Sequence, residues 1–457
     1  SFNIGWAFGF GYFISNLYWI TNSLTFDETF KPLIPVALII IPLFLGSFYG
    51  VITLLLSYFK LEKNFSTIIL FSIIFSFIEF IRSFIIGGFP WNIIAYSWTN
   101  YLYSLQIVSY IGTYSFNLLS ITFFLLPIVF FYKKNLKLKF LTIILLIIIL
   151  LSNHLFGIYK FKKDNKKEVQ NLDFIFKIVS PKIGINRFLN HDDPEKNIKE
   201  LINLSNPQKS KKTIFIFPEV VLTDLYFEDL TNYKKLFSNN YSKNHIIILG
   251  MRSNKTINGK TKIYNSLVVI DHNVNLLAKY DKNKLVPFGE FLPLENFFSK
   301  FGLKKITYGY QSFSSSNTRE IINIYNKNFL PLICYEIIYS GKLKNFEQDI
   351  DLIINISEDG WFGSSVGPYQ HFSHSIFRAI EEGKYLIRSA NNGISAYISP
   401  NGKIISQLKS TQKGVIEVKE FKNVNKTFFA IHGNKIFFYF LIFYISLFFF
   451  INRREHR

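Results

Sequence analysis

Three apolar runs in this 457-residue chain each stop at a group able to do chemistry. "TIFIFPE" (213–219) ends in Glu219. "SLVVID" (266–271) and then "LLAKYDK" (276–282) lead to Lys282, and "NFLPLIC" (328–334) ends in Cys334, the one cysteine. A carboxylate, an ammonium and a thiol suffice for nucleophilic acyl transfer. The carboxylate takes the thiol proton, the thiolate attacks a carbonyl, and the ammonium stabilises the developing oxyanion. A free thiol near pKa 8.5 is mostly protonated at neutral pH, so it needs a neighbouring base or cation. Sites in open α/β sheets gather at the carboxyl ends of strands, which places all three groups in one expected crevice. Each also has a plainer reading. Glu219 after Pro218 can cap a helix, Lys282 lies between Lys279 and Lys284 where surface lysines are usual, and Cys334 can be a small buried hydrophobe.

The elements that must carry these groups fall into two textures. With 49% hydrophobic and 18% aromatic residues, the chain is too apolar for an ordinary soluble enzyme and reads as membrane spans plus a globular part. Runs at 4–23, 33–58, 66–86, 104–131, 139–159 and 436–452 are expected to span. Between 160 and 430 the apolar runs shorten and alternate with Asn, Asp, Gly and Lys clusters, the pattern of strands and helices. The expected division is therefore spans in 1–160, a globular domain in 161–430, and a last span with a basic tail in 431–457. The chain opens "SFNIGW" and its one methionine is Met251, which reads as an N-terminus lacking its natural start and its first spans. The net charge of +20 comes from scattered lysines without a nucleic-acid-binding signature, so anionic lipid is the expected partner and nucleic acid is not.

Short-loop charge sets an expected orientation. Lys133, Lys134, Lys137 and Lys139 place the 132–139 loop in the cytoplasm, with the "NRREHR" tail and, more weakly, Lys60 and Lys63. The 24–32 loop and the uncharged 87–103 loop then lie outside, together with residues 160–430. The basic "KFKKDNKK" (160–167) disagrees, but long domains largely escape the rule. A lone cysteine in an extracytoplasmic domain offers no disulfide staple. Within the spans, Glu79 and Arg82 fall three apart and are expected to pair, with Arg82 snorkelling to the outer surface.

The flanking text carries a resemblance. "FPEVVLTD", "YDKNKLVPFGEFLPL", "ICYEIIY", "NISEDGWFG", "GPYQHF" and "RSANNGISAYISPNG" resemble the nitrilase superfamily. With "GFGYFISNLYWI" (9–20), "EFIRSFIIGGFPW" (79–91) and "YIGTYSFN" (110–117), the chain is more closely similar to the bacterial apolipoprotein N-acyltransferase family. The resemblance implies a multi-span α-helical membrane domain plus an α/β nitrilase-like αββα sandwich. It implies Glu219 as general base, Lys282 as oxyanion stabiliser and Cys334 as nucleophile. Lys282 is preferred to Lys284 because it precedes Glu290 by eight residues, the family spacing. Glu290 and Glu336 match further essential positions, Tyr335 an aromatic beside the nucleophile, and Asn265 a residue that orients the carboxylates.

The implied reaction is ping-pong. Cys334 accepts a fatty acyl chain from a phospholipid, with phosphatidylethanolamine the expected donor. It then passes the chain to the α-amine of a diacylglyceryl-modified N-terminal cysteine on an apolipoprotein. Phe89, Pro90, Trp91 and Trp361 are expected to line the lipid path, or else the 87–103 loop simply anchors. No metal or cofactor is called for; His371 and His374 form H-x-x-H near Glu381 and Glu382 but lack a third ligand in a fitting frame. The implied location is the bacterial inner membrane, multi-pass, with the catalytic domain on the periplasmic side. Rival readings are a membrane-tethered amidase that passes its acyl group to water, and a non-catalytic scaffold. The chain departs from the family pattern at Ser180 and Pro181, where Gln-Gly is usual, with Phe188 as a substitute apolar lid. It departs again at Glu358, where Asn is usual.

Overall fold

The computed structural model describes residues 1–455 except 60, 63, 133–135, 166–168, 190–192, 258, 294–311, 342, 344–348 and 423. Lys60, Lys63, Lys133, Lys134, Lys166, Lys167, His456 and Arg457, which enter the loop-charge argument, lie outside the described residues. Among those described, five helices are long and apolar enough to cross a membrane: Glu28–Ser57, Phe65–Arg82, Val108–Phe131, Lys139–Asp164 and Lys435–Glu455. The run expected to span at 4–23 is instead a 16-residue helix, Phe2–Leu17, followed by the 3-10 segment Tyr18–Thr25. At 1.5 Å per residue that helix is about 24 Å long, short of the ~30 Å hydrocarbon core. Tertiary bonds claim the residues that would have lengthened it. Trp19 Nε1 donates to Gln370 Oε1 at 3.0 Å, and Asn22 Nδ2 donates to the Phe362 carbonyl at 2.7 Å. The short helix packs closely on Ile34–Ser57 because both are glycines at the crossing: a Cβ on Gly9 would sit 2.8 Å from Gly46 Cα.

Arg82 does pair with Glu79 (3.5 Å), but it does not snorkel. Its side chain is 1% exposed and turns inward, where Nη1 donates to the Phe89 carbonyl at 2.8 Å. Glu79 also accepts from Asn117 Nδ2 and Tyr49 Oη, so the buried charge is held by hydrogen bonds from two other helices.

The globular part is built on two six-stranded sheets. The first holds β1 (Val169–Ser180), β2 (Thr213–Ile216), β3 (His245–Ile257), β4 (Lys260–Asp271), β5 (Leu276–Asp281) and β12 (Gly414–Lys422), in the order β12-β1-β2-β3-β4-β5. The second holds β6 (Ile322–Ile324), β7 (Lys327–Ile333), β8 (Leu352–Glu358), β9 (Tyr385–Asn391), β10 (Ser395–Ile398) and β11 (Ile404–Leu408), in the order β11-β10-β9-β8-β7-β6. Strands β1 to β3 and β7 to β9 run parallel within their sheets. Such strands are apolar on both faces, as the period of two requires when each face is covered. Ile214 and Ile216 pack between the sheets with Phe329, Ile354 and Ile356. Phe215 and Phe217 point the other way, onto Leu201, Ile202 and Phe237 of the helices Pro194–Ser205 and Lys234–Asn240.

The fourth layer joins the two halves of the molecule. Phe372, Ile376 and Ile380 on the helix Gly367–Glu382 share one apolar cluster with Leu330, Leu332 and Ile353 of the second sheet. The same cluster continues into Trp91, Tyr114, Phe116 and Phe437 of the membrane segments. The αββα sandwich is thus seated on the helices through its second sheet and that helix. The 87–103 segment, expected outside the membrane, and the 18–25 segment, most of it expected within a span, both meet it there.

Candidate active site

Strand ends deliver the reactive groups. Residues 217–219 leave β2 still bonded to β3, through Phe217 N to Ile248 O (2.9 Å) and Gly250 N to Pro218 O (3.2 Å). The approach depends on Gly250, since a Cβ there would overlap Glu219 Cα. Lys282 follows β5 directly, its backbone N–H donating to the Asn265 carbonyl on β4 at 2.9 Å. Cys334 follows β7 and opens the 3-10 turn Cys334–Ile338. Two backbones here adopt left-handed values, Cys334 at φ 49° and Val220, beside Glu219, at φ 40°. Non-glycine residues in that region cost roughly 1–3 kcal/mol each and cluster at functional sites.

The side chains converge as well. Asn265 Nδ2 donates to Glu219 Oε1 and to Glu290 Oε1, both at 2.8 Å. Lys282 Nζ lies 2.9 Å from Glu290 Oε1 and 3.3 Å from Glu219 Oε1. Glu219 Oε2 accepts from the Glu358 backbone N–H at 2.8 Å, and Glu290 Oε2 from Val286 N at 2.9 Å. Every one of these polar groups is buried, and the cluster contains one cation for two carboxylates. Burial works to lower the Lys282 pKa, but Glu219 and Glu290 overcome it and hold the ammonium more firmly charged than a free lysine. Burial pushes the Cys334 thiol well up; the Glu219 and Asp359 carboxylates add to this, while Lys282 opposes it. A thiol in this setting rests protonated, and a base is needed to take its proton.

Glu336 has a different setting. It is wholly buried and saturated: Oε1 accepts from Tyr280 Oη (2.7 Å), Asn283 N (3.0 Å), Lys284 N (3.1 Å) and Arg319 Nη2 (3.0 Å), and Oε2 from Ile333 N (2.8 Å). It ties the backbone just after Lys282 to the backbone just before Cys334. Tyr335 extends from the same turn toward the membrane part, its hydroxyl donating to the Gly88 carbonyl at 2.7 Å. Tyr339 does the same to Gly87 O, also at 2.7 Å. Gly87 and Gly88 have φ of 83° and 80°, and a Cβ on Gly88 would overlap Ser83 O, so this turn admits only glycine there.

The expected lipid-path residues separate. Trp91 is 2% exposed, donates Nε1 to Gln370 Oε1 at 2.8 Å, and lies against Trp19, Tyr335, Phe362 and His371. Pro90 is buried beside it, whereas Phe89 and Trp361 are half-buried. Trp361 packs on Phe188 in a tilted contact at 4.9 Å and meets Phe26 edge-on at 5.8 Å.

Of the groups beneath Cys334, sequence reasoning weighed His371 only as a metal ligand and gave Asp359 and Arg388 no role. Asp359 Oδ1 bonds His371 Nδ1 at 2.9 Å, Arg388 pairs with Asp359 at 2.8 Å, and His371 Nε2 sits 3.3 Å from the Cys334 carbonyl. Burial tends to raise the Asp359 pKa, but Arg388 and His371 hold it well below the usual range. Burial and Arg388 keep the His371 pKa low against the pull of Asp359. His374 packs between Trp91 and Tyr96. Among the described residues, no group of three His, Cys, Asp or Glu side chains is placed to hold a metal ion. Asp359 and His371 did lie in quoted motifs, "NISEDGWFG" and "GPYQHF". Arg319 had no local signal.

Comparison with known proteins covers the chain from its start. Residues 1–126 match the model of the apolipoprotein N-acyltransferase N-terminal domain, and 185–419 that of carbon-nitrogen hydrolases. The apolipoprotein N-acyltransferase of Rhizobium leguminosarum bv. trifolii is 31% identical over 429 residues, which cover 91% of this chain and 79% of that protein. That of Rickettsia prowazekii is 33% identical over 438 residues, covering 94% and 85%. Among solved structures, a CN-hydrolase superfamily protein from Xanthomonas campestris aligns with TM-score 0.36 at 15% identity, over 54% of this chain and 90% of that one.

Proposed function

This chain belongs to the apolipoprotein N-acyltransferase family, and from that premise we propose how its own residues carry out the transfer. It is a membrane-embedded acyltransferase of lipoprotein maturation. Glu219 is the general base, Lys282 the oxyanion stabiliser and Cys334 the nucleophile. The observation that carries this reading is the buried cluster in which Asn265 and Lys282 both bridge Glu219 to Glu290, with the buried Cys334 thiol within its field.

In the first half-reaction Glu219 takes the Cys334 proton and the sulfur attacks an ester carbonyl of a phospholipid, phosphatidylethanolamine being the donor of choice. The Lys282 ammonium stabilises the tetrahedral oxyanion. The C–O bond breaks, the proton on Glu219 passes to the leaving lysophospholipid oxygen, and a thioester remains on Cys334. In the second, the α-amine of a diacylglyceryl-cysteine attacks the thioester, gives a proton to Glu219, and Cys334 leaves as thiolate and is reprotonated. Lys282 suits the electrostatic role because its two carboxylates keep it charged. Glu290 and Asn265 position the ammonium and the base; Glu336 positions the Lys282 and Cys334 backbones relative to each other; Tyr335 fastens the nucleophile turn to the membrane loop. Phe89 and Trp361 offer rings to the acyl chain, with Pro90 and Trp91 as the packed support behind them.

The protein sits in the bacterial inner membrane with this site on the periplasmic side. Both substrates are lipid-anchored, so a site at the membrane face receives them without drawing a chain into water, and a water-poor site protects the thioester. The test is product identity. Purified protein given phosphatidylethanolamine and a diacylglyceryl-cysteine peptide should yield N-acylated peptide and lysophospholipid in equal amounts. Free fatty acid in place of acylated peptide, or hydrolysis of simple amides, would contradict the proposal in favour of a tethered amidase.

A further inference from the structure

The two stretches in which the chain departs from the resembled pattern meet in one buried ion pair. Arg187 Nη2 lies 2.5 Å from Glu358 Oε2, and both side chains are 1% exposed. Other donors complete the carboxylate. Asn391 Nδ2 donates to Oε2 at 2.7 Å, while Gly360 N (2.7 Å) and Asn392 Nδ2 (3.2 Å) donate to Oε1. A buried pair this well satisfied is neutral as a unit, but removing one half leaves the other as an uncompensated buried charge.

What the pair touches next is Glu219. The backbone N–H of Glu358 donates to Glu219 Oε2 at 2.8 Å. Arg187 Nη2 donates to the Val220 carbonyl at 3.3 Å, on the residue held at φ 40° directly after Glu219. On its other side the Arg187 guanidinium lies over the Phe188 ring at 4.6 Å, and Phe188 packs against Trp361 with the rings tilted by 42° and centroids 4.9 Å apart. Arg187 therefore holds the backbone directly after Glu219, the Glu358 backbone holds the carboxylate itself, and the pair seats the 185–188 turn against the aromatic wall.

We propose that Arg187 and Glu358 are positioning residues for Glu219, and that their mutual neutralisation keeps the carboxylate free to accept the thiol proton. The proposal rests on the reading of Glu219 as base. The charged groups around Glu219 are Lys282 and Glu290 from the segment after β5, Cys334 from the end of β7, and this pair, from the 185–188 turn and the end of β8. The Asp359, Arg388 and His371 group lies beyond Cys334. Glu358→Gln leaves the Arg187 cation unopposed, which disfavours protonation of Glu219. Arg187→Met leaves the Glu358 carboxylate unopposed, which favours it.

The experiment is the rate of acyl-enzyme formation from phosphatidylethanolamine across pH 5 to 9, read by intact mass on full-length protein in mixed micelles. The acid limb should move to lower pH in Glu358→Gln and to higher pH in Arg187→Met, each by about one unit or more. It should return in the double variant Arg187→Met/Glu358→Gln. Arg187→Lys, which keeps the charge but loses the fork, should keep the limb and lower the rate, and it carries the test if Arg187→Met fails to fold. Limbs that stay put, or move in the same direction in both single variants, would overturn the proposal. Glu219→Gln runs in parallel: rapid acylation in that variant would overturn the reading of the base itself.

Discussion

Glu219 and Glu336 are both buried carboxylates beside the segment that begins at Lys282, yet they have opposite designs. Glu336 accepts from five donors, four of them to a single oxygen, and its partner cation Arg319 is also held by Tyr280 Oη. Glu219 shares two of its three donors with Glu290 and interacts electrostatically with the thiol, and its cation is pinned between two carboxylates. A saturated carboxylate has no capacity left to move a proton and serves as architecture. A carboxylate that shares its partners can change protonation state during a reaction. Burial alone does not tell the two roles apart; the donor inventory does.

That contrast can be broken most severely at Glu219. Glu219→Gln keeps an acceptor oxygen for Asn265 but cannot take a proton, so acylation by phosphatidylethanolamine should fall about 10²–10⁴-fold with little change in melting temperature. Glu336→Ala should do the reverse in origin. It strands buried Arg319 and opens the 280–284 to 333 clamp, costing about 3–5 kcal/mol of stability, visible as a large drop in melting temperature in detergent. A Glu336→Ala protein as stable as wild type would place Glu336 with the chemical group instead.

Gly88→Ala sharpens the comparison from the membrane side. The left-handed backbone and the overlap with Ser83 O should cost roughly 1–3 kcal/mol. Acylation should fall too, because Tyr335 loses its fixed acceptor. The smallest effect concerns pH. Burial keeps both His371 and His374 from protonating in the folded protein, so their folded pKa values lie below the unfolded value near 6.5. Below that pH the unfolded chain binds protons that the folded one refuses. Stability is therefore full above about pH 6.5 and declines as pH falls. A melting temperature flat from pH 7 to 5 would contradict this.

Much of the fold could be read from the sequence because the strands leading to Glu219, Lys282 and Cys334 are short apolar runs bounded by polar clusters, and the long helices are longer apolar runs. The failures share a cause. Leu17 ends its helix because Trp19 and Asn22 bond to Gln370 and Phe362, over 300 residues away in sequence. Arg82 turns inward because Phe89 O and Glu79 wait there rather than at the lipid surface. Arg187, Arg319 and Gly250 matter only through partners that folding brings beside them, and no local spacing encodes those contacts.

The central claim is tested most directly by the intact mass of the full-length protein after incubation with phosphatidylethanolamine alone, with Cys334→Ala and Glu219→Gln run beside it. The account predicts one fatty-acyl increment on wild type, none on Cys334→Ala, and a greatly slowed one on Glu219→Gln, with the wild-type adduct discharged by a diacylglyceryl-cysteine peptide. An increment that persists in Cys334→Ala would contradict it.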